Sequence, residues 1–253
     1  MAPPAEERAW PGGLEERLLA LGRAFLDLLF PPRCGGCGAV GSWFCARCWD
    51  ALPWIVPPVC GRCGTPIPRA GFCPACAALP PSPVHIRSAT YFEGPVREAV
   101  HRLKYAGQRP LAGPLALVLY QMWCQQGLQA EVLVPIPLHP DRERERGFNQ
   151  AALLAKELGR LAGVPVDGVS LRKVRATLPQ VGLSREERRK NVAGAFQCAE
   201  GAVQGKRVAL VDDVCTTGAT LYAAGQALLE GGATEVWAVT VARARPGWDG
   251  LSL

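Results

Sequence analysis

The sequence predicts an α/β protein, with an open, mostly parallel sheet covered by helices on both faces and a small four-cysteine-type zinc module in front of it. Short apolar runs alternate with longer helical periods from residue 85 onward, which is typical of parallel strands joined by helices. Eight of the eleven cysteines fall between residues 34 and 76. One strand ends in two adjacent acidic residues and leads through a loop of small and hydroxyl residues into a helix.

Composition limits the classes of protein to which the chain can belong. Its 253 residues, of which 49% are hydrophobic, suffice for one medium domain and one small one. The net charge of +6 permits an anionic partner without requiring one. No uncharged apolar run reaches the roughly 18 residues of a membrane span, and no signal peptide is recognisable, so we expect a cytoplasmic protein. Eleven cysteines then point to metal or thiol chemistry rather than to disulfides.

The chain divides into three predicted parts. Residues 1–30 hold an amphipathic docking helix, Leu14 to Phe30, that stops at a Pro-Pro pair. Residues 31–80 form the cysteine-rich module, and the proline-rich stretch Leu79 to Pro83 is a linker. Residues 85–253 form the α/β domain. Its predicted strands are Ile86–Phe92, Val132–Pro135, Arg207–Val211 and Glu235–Ala242, and its predicted helices are Val96–Tyr105, Pro110–Gln125, Phe148–Ala162 and Ala219–Leu229.

The cysteines of the module form four Cys-x-x-Cys pairs. These are Cys34/Cys37, Cys45/Cys48, Cys60/Cys63 and Cys73/Cys76. Two thiolates that are two residues apart hold one metal ion from a tight turn, and two such pairs complete a tetrahedral zinc site. A single pair could be redox-active, but four pairs so close together favour one or two structural zinc ions. Consecutive pairs could share an ion, or the first and third pairs could, and spacing does not separate these arrangements. Cys124, Cys198 and Cys215 are not expected to be ligands.

The segment from Arg207 to Thr220 predicts a phosphate site. A buried strand delivers Asp212 and Asp213 at its carboxyl end, and the following loop opens directly into a helix. The loop and helix N-terminus offer backbone N–H groups, and Gly218 permits a positive φ. Hydroxyl donors come from Thr216, Thr217 and Thr220. Carboxylates beside a phosphate cradle suit a ligand that also has hydroxyls, such as ribose 5-phosphate; the alternative is a generic strand–turn–helix with solvated acids.

This segment resembles the phosphoribosyl pyrophosphate (PRPP) motif of type I phosphoribosyltransferases, which has an apolar strand, two acidic residues and a Thr-Thr-Gly loop. The resemblance implies a fold of that type. It also implies that Asp212 and Asp213 contact the ribose hydroxyls and are the catalytic acids. The residues that would hold the 5-phosphate are Thr216, Thr217, Gly218, Ala219 and Thr220. If the protein is an active enzyme, Mg²⁺ would bind together with PRPP.

Two basic segments precede this motif. The first, from Val134 to Gln150, again leaves a strand and enters a helix, where type I enzymes bind pyrophosphate. Fork-shaped donors for phosphate oxygens come from Arg142, Arg144 and Arg146. Interleaved glutamates leave a solvated turn as the alternative. The second segment, Leu171 to Phe196, is either a mobile loop that closes over the site, as in type I enzymes, or an exposed helix from Arg185 to Asn191.

From Leu29 to Ala242 the chain resembles the ComF family of competence proteins, also described as GntX-like. The shared motifs are the early Cys-x-x-Cys pairs, Leu103-Lys-Tyr105, Val134–His139, Arg146–Gln150, Thr177–Gln180, Asn191–Phe196 and the Asp-Asp motif. This resemblance implies a cytoplasmic protein needed for natural transformation. Such a protein would handle single-stranded DNA after import, with the DNA-import machinery as a candidate partner.

Two functions from different classes fit these observations. The first is a single-stranded DNA binding protein that uses the zinc module and a set of basic residues, namely Arg142, Arg144, Arg146, Arg172, Lys173, Arg175, Arg185, Arg188, Arg189 and Lys190. The second is a working phosphoribosyltransferase of nucleotide salvage, although no segment shows an obvious nucleobase-binding hood. A third function is regulation, in which ribose phosphate only sets the conformation. Aromatic residues near the cysteines are expected to pack rather than to stack on bases, namely Trp43, Phe44, Trp49, Trp54 and Phe72.

Overall fold

The computed structural model describes residues 31–175 and 185–245. The predicted docking helix, Leu14 to Phe30, and the motif Thr177–Gln180 lie outside the described residues. The side chains of Arg185, Arg188 and Arg189 also lie outside them. In the described part of the chain, a parallel sheet with helices on both faces stands beside the cysteine-rich module, which agrees with the predicted fold class.

The main sheet has four strands in the order β1-β6-β5-β2, and all neighbouring strands are parallel. The four are β1 Val84–Tyr91, β2 Val132–Pro135, β5 Arg207–Cys215 and β6 Glu235–Arg243. A separate antiparallel pair consists of β3 Leu171–Lys173 and β4 Phe196–Cys198. The central strands β5 and β6 are rich in Val and Ala because both of their faces are buried by helices.

The helices divide between the two faces of the sheet. On one face, α3 Gly94–Tyr105, α4 Ala112–Gln125 and α6 Gln150–Ala162 pack against Ala209 and Val211 of β5. On the other face, α8 Ala219–Glu230 packs against Val208 and Leu210. The remaining helical segments are short: α1 Ala46–Asp50, α2 Pro74–Ala77, the 3₁₀ turn Arg109–Leu111, α5 Pro140–Arg146 and α7 Arg185–Val192. In the ranges described here, no helix has both the length and the apolar character needed to cross a bilayer.

Two elements differ clearly from the sequence-based expectations, and a third agrees with one of two alternatives. Strand β5 does not end at Val211 but continues to Cys215, because β6 runs beside it and pairs Asp212 with Thr240 and Cys215 with Arg243. The basic segment after β2 contains the short helix α5 rather than only a loop. Of the two alternatives for the segment 171–196, the helix is present at Arg185–Val192, between the strands β3 and β4.

The cysteine-rich module continues the sheet at its β1 edge. The N–H of Ile55 donates to the carbonyl oxygen of Ala89 at 2.9 Å, and the N–H of Ile86 donates to that of Arg62 at 2.7 Å. A parallel edge strand exposes unpaired backbone groups, and these contacts satisfy part of them. The stretch predicted to be a linker therefore joins two parts of the chain that contact each other directly.

Candidate ligand cleft and cysteine sites

A cleft of about 210 Å³ opens where β2 and β5 end and α8 begins. Its wall combines side chains from α3, the segment after β2, the β3–β4 pair, and the end of β5 with the start of α8. Ligands of open α/β sheets bind at this position, because the loops that follow neighbouring parallel strands leave a crevice there. Asp212 and Asp213 both line it, as do Thr216, Gly218, Ala219 and Thr220.

The threonine loop, residues 215–220, turns the chain from β5 into α8. Gly218 has φ +79° and its carbonyl oxygen accepts the first helical hydrogen bond, from Tyr222 N at 2.9 Å. A Cβ at Gly218 would lie 2.8 Å from Ile86 Cδ1, so the turn requires glycine for conformation and for space. Thr217 does not line the cleft; its Oγ1 accepts from Ala219 N at 3.4 Å. The first turn of α8 thus lies at the cleft, where N–H groups of a helix start lack helical acceptors.

The two acids have different surroundings. Asp213 is only 2% exposed, its Oδ1 accepts from Val214 N at 2.6 Å, and its Oδ2 lies 3.0 Å from Lys104 Nζ. Asp212 is partly exposed, and its Oδ1 accepts from Asp213 N at 2.8 Å. Burial, and next the charge of Asp213, raise the pKa of Asp212 to about 8. Burial lowers the pKa of Lys104, but Asp213 and Asp212 outweigh this effect, so the net shift of that pKa is upward.

The eight module cysteines form two groups of four, made from consecutive pairs rather than crossed ones. Cys34, Cys37, Cys45 and Cys48 are one group, and Cys60, Cys63, Cys73 and Cys76 are the other. Within each group all Sγ atoms lie within 4.8 Å of one another, and the Cys37–Cys45 and Cys63–Cys73 Sγ distances are both 3.7 Å. A tetrahedral zinc ion with bonds of about 2.3 Å needs Sγ atoms roughly 3.8 Å apart. Both groups therefore fit zinc.

The two groups repeat the same turn geometry. Cys45 N donates to Cys34 Sγ at 3.3 Å, and in the second group Cys73 N donates to Cys60 Sγ at 3.3 Å. Glycines four residues after the first cysteine of each group, Gly38 and Gly64, take positive φ values. Hydrogen bonds from backbone N–H groups stabilise thiolates, which are the form that binds metal.

Comparisons with known proteins agree with this geometry. Residues 25–77 match the family model of the double zinc ribbon domain, and residues 144–249 match that of the phosphoribosyl transferase domain. The DNA utilization protein YhgH of Salmonella typhimurium is 35% identical over 208 residues, which cover 79% of this chain and 91% of the relative. Competence protein F of Haemophilus influenzae is 33% identical over 195 residues, which cover 74% of this chain and 85% of the relative. The chain belongs to the ComF family.

A solved structure is also similar to part of this ComF-family chain. Glutamine PRPP amidotransferase from B. subtilis is 26% identical, with a TM-score of 0.35, and the match covers 51% of this chain and 26% of that one. The overlap is partial and carries no information on activity. The family assignment therefore depends on the relatives. The family models and the described structure are the evidence for the double zinc ribbon and for the type I phosphoribosyltransferase-like fold.

The three arginines that the sequence proposed for pyrophosphate do not line the cleft of this ComF-family protein. Arg142 and Arg144 are exposed on α5, where Arg144 forms an ion pair with Asp141. Arg146 Nη1 donates to Gln150 Oε1 at 2.6 Å. Gln150 does line the cleft, so Arg146 is connected to the cleft indirectly, through its hydrogen bond to the Gln150 side chain.

Among the cleft residues that received no role from the sequence are Lys104, Gln150 and Phe196. A signal existed for Lys104, because it follows Val100 by four residues and so lies on the buried side of an amphipathic helix, where a charge demands a partner. Gln150 is 5% exposed at the start of α6, just after its N-cap Asn149. Phe196 pairs with Lys173 across β3 and β4. Only this pairing brings it to the cleft, so local sequence could not reveal it.

The other cysteines and the aromatic residues largely follow the expectations. Cys124 is exposed, whereas Cys198 and Cys215 pack with the core on the α8 side, and none of the three joins a four-cysteine group. Four of the five named aromatic residues pack against the core on the α3 side, namely Trp43, Phe44, Trp49 and Trp54. The fifth, Phe72, is 62% exposed.

Proposed function

We propose that this ComF-family protein binds a 5-phosphoribosyl group in the cleft and uses that site while it handles imported single-stranded DNA. The main support for the proposal is that the acid pair and the threonine loop line the same cleft, at the carboxyl end of a parallel sheet. The loop would hold the 5-phosphate with backbone N–H groups and hydroxyls, and the end of β5 that carries the acid pair would face the ribose hydroxyls.

The size and composition of the cleft support a sugar phosphate. A volume of about 210 Å³ corresponds to roughly seven water molecules at about 30 Å³ each, and a single phosphoribosyl group could replace them. The ligand would be ribose 5-phosphate or PRPP. Mg²⁺ would enter with PRPP, because a pyrophosphate chelates it and the cation offsets the negative charge. The three arginines of α5 would act on the pyrophosphate only after a movement toward the cleft.

Calorimetric titration with ribose 5-phosphate, and separately with PRPP and Mg²⁺, tests this site. Thr216→Val removes a hydroxyl that lines the cleft, and we expect it to weaken binding about tenfold or more, as for a lost hydrogen bond to a charged group. Thr234→Val is the matched control, because Thr234 is exposed in the turn before β6, at the other end of the sheet. Failure of the wild-type protein to bind either ligand would refute the proposal.

The DNA-handling part is supported by the relatives, which are named for DNA utilization and competence. It is also supported by the clustering of basic residues at the cleft, since Lys173 lines it and the charges of Arg142 and Arg175 lie near Lys173. If about five phosphates are neutralised, log affinity for single-stranded DNA should fall with log salt at a slope of roughly −3.5. Fluorescence anisotropy measures this slope, and a flat response would contradict DNA handling through these residues. The proposal implies a cytoplasmic protein, which cell fractionation tests.

A second candidate function is phosphoribosyl transfer in nucleotide salvage. One observation favours it: the β3–β4 pair brings Phe196 and Lys173 to the cleft, where an aromatic ring and a cation could cover a ligand. A bound nucleophile would attack the anomeric carbon while pyrophosphate leaves, and catalysis would consist of positioning and charge neutralisation. Pyrophosphate release from PRPP, assayed with ammonia and with nucleobases, separates turnover from binding alone.

A further inference from the structure

The two acids of the cleft are not equivalent in their freedom to contact a ligand. Asp213 lines the cleft but is only 2% exposed; its Oδ1 accepts from Val214 N, and its Oδ2, which accepts no hydrogen bond from the described residues, forms an ion pair with Lys104 Nζ at 3.0 Å. Asp212 precedes it in β5, is partly exposed and also lines the cleft. A ligand could thus reach the carboxyl group of Asp212 while that of Asp213 stays covered.

Lys104 is held firmly at this point by its neighbours in α3. Leu103 is fully buried in the core, and Arg102 Nη1 donates to the carbonyl oxygen of Cys34 at 3.0 Å, which ties the helix to the first cysteine turn. The Lys104 side chain is itself only 14% exposed and lines the cleft. Its ammonium group therefore has little freedom to leave Asp213.

The net charge of Asp213 together with Lys104 affects how strongly the cleft binds an anionic ligand. An uncompensated carboxylate that lines a small cleft would repel a phosphate, since Coulomb energies are large where water is scarce. The charged groups around the acid pair include Lys104 from α3 and Lys173 from β3, with Arg142 and Arg175 near Lys173. Lys104 Nζ lies 3.0 Å from Oδ2 of Asp213, in direct contact with its carboxylate.

We propose that Lys104 is a positioning residue of the phosphoribosyl site: it neutralises Asp213 and leaves Asp212 as the carboxyl group that contacts the ribose hydroxyls. This inference rests on the proposed function and deepens it. The inference differs from what the resemblance to the PRPP motif implies, which is that both acids contact the ribose. Asp213 then acts on the ligand only through Lys104.

The test compares ribose 5-phosphate affinity among single and double variants of the zinc-loaded full chain, in Mg²⁺-free buffer without a chelator. Asp212→Asn should weaken binding about tenfold or more, whereas Asp213→Asn should leave it equal or tighter, because the ammonium group of Lys104 then faces the ligand without a competing anion. If instead both acids contact the ribose, both variants weaken binding. That result would overturn the inference and leave the proposed function standing.

The double variant Lys104→Met/Asp213→Asn gives a second and independent test. Lys104→Met leaves a buried carboxylate unpaired, so we expect about tenfold weaker binding or more and a melting temperature lower by roughly 10 °C. Removing Asp213 as well should restore affinity to within about threefold of wild type, because the uncompensated charge is gone. An equally weak double variant would show that Lys104 contacts the ligand itself, which overturns the inference.

Lys156→Met serves as the control, because it removes the same charge from an exposed position on α6 and should change neither affinity nor stability. A loss of binding in this control would mean that net charge alone sets the affinity, and this too would overturn the inference. If the wild-type protein binds no ribose 5-phosphate and no PRPP, the proposed function itself fails. The two failures are therefore distinguishable.

Discussion

Arg243, the last residue of β6, donates a hydrogen bond from Nη1 to the carbonyl oxygen of Cys63 over 2.7 Å. Its Nη2 donates to Thr65 Oγ1 at 2.9 Å, and the residue is only 7% exposed. The same residue pairs with Cys215, which begins the threonine loop. One buried guanidinium thus connects a cysteine turn of the second zinc ribbon to the end of the sheet that carries the proposed ligand site.

Replacing Arg243 should destabilise the protein. Arg243→Met removes two hydrogen bonds and leaves a carbonyl oxygen of the cysteine turn without its donor, so we expect a loss of about 2–4 kcal/mol in the free energy of unfolding. Arg245→Met is the control. Arg245 is half-exposed and pairs with Glu93 on the surface, so its loss should cost at most about 1 kcal/mol. Urea unfolding measures both, and equal effects would contradict the anchoring role of Arg243.

Metal analysis should find two zinc ions per chain, because the cysteines form two complete groups. Cys73→Ser/Cys76→Ser should lower the content to one ion and leave the first group loaded. Hydrogen exchange should then rise at the N–H of Ile86, which donates to Arg62 of the second ribbon, more than at the N–H of Ile55, which donates to Ala89. Full metal removal without loss of protease resistance in residues 34–76 would refute a structural role for zinc.

The raised pKa of Asp212 predicts a pH dependence of stability. The pKa of Asp212 is raised to about 8 in the folded protein, chiefly by burial, from an unfolded value of about 3.9. The folded state therefore holds the proton more tightly, so this residue favours folding at low pH and that contribution is lost as pH rises toward and through 8. Relative to Asp212→Asn, wild type should lose on the order of 2–3 kcal/mol between about pH 6 and 9.

Urea unfolding of both proteins across that pH range measures the difference. The comparison with Asp212→Asn cancels the titration of groups that both proteins share, including the zinc-site thiols. A difference in unfolding free energy that stays constant with pH would contradict the raised pKa of Asp212.

Gly218→Ala should weaken ligand binding and lower stability together. The substitution places a Cβ 2.8 Å from Ile86 Cδ1 and strains a residue with φ +79°, so we expect about 1–3 kcal/mol of destabilisation and a displaced threonine loop. Gly113→Ala, in the first turn of α4 with open space around it, should instead be neutral or slightly stabilising. Thermal unfolding and ribose 5-phosphate titration check both variants. Unchanged affinity in Gly218→Ala would separate the loop from ligand binding.

Deletion of the gene in a naturally competent host should reduce transformation, as expected for a ComF-family protein. A copy with Asp212→Asn/Asp213→Asn should then fail to restore it while the protein remains folded and present. Full rescue by this copy would show that the proposed phosphoribosyl site is not needed for competence. In that case the basic surfaces would carry the function.

Much of the architecture could be predicted because it depends on neighbouring residues. The apolar run Val132–Pro135 is a strand with the predicted bounds, and the helix after the threonine loop starts at Ala219 as predicted. The sequence predicts that β5 ends too early, at Val211, because the two acids interrupt the apolar run. Pairing with β6 continues the strand past them, and this pairing is a property of the sheet rather than of the segment.

The sequence by itself determined the class of fold, the presence of paired cysteine turns and the acid pair before a threonine loop, since each depends on periodicity or on spacing within a few residues. Only the tertiary structure decided which cysteine pairs share an ion, that the ribbons continue the sheet at β1, and that Lys104 meets Asp213. These relationships join residues far apart in the chain, and long-range packing brings them together. No local pattern could specify them.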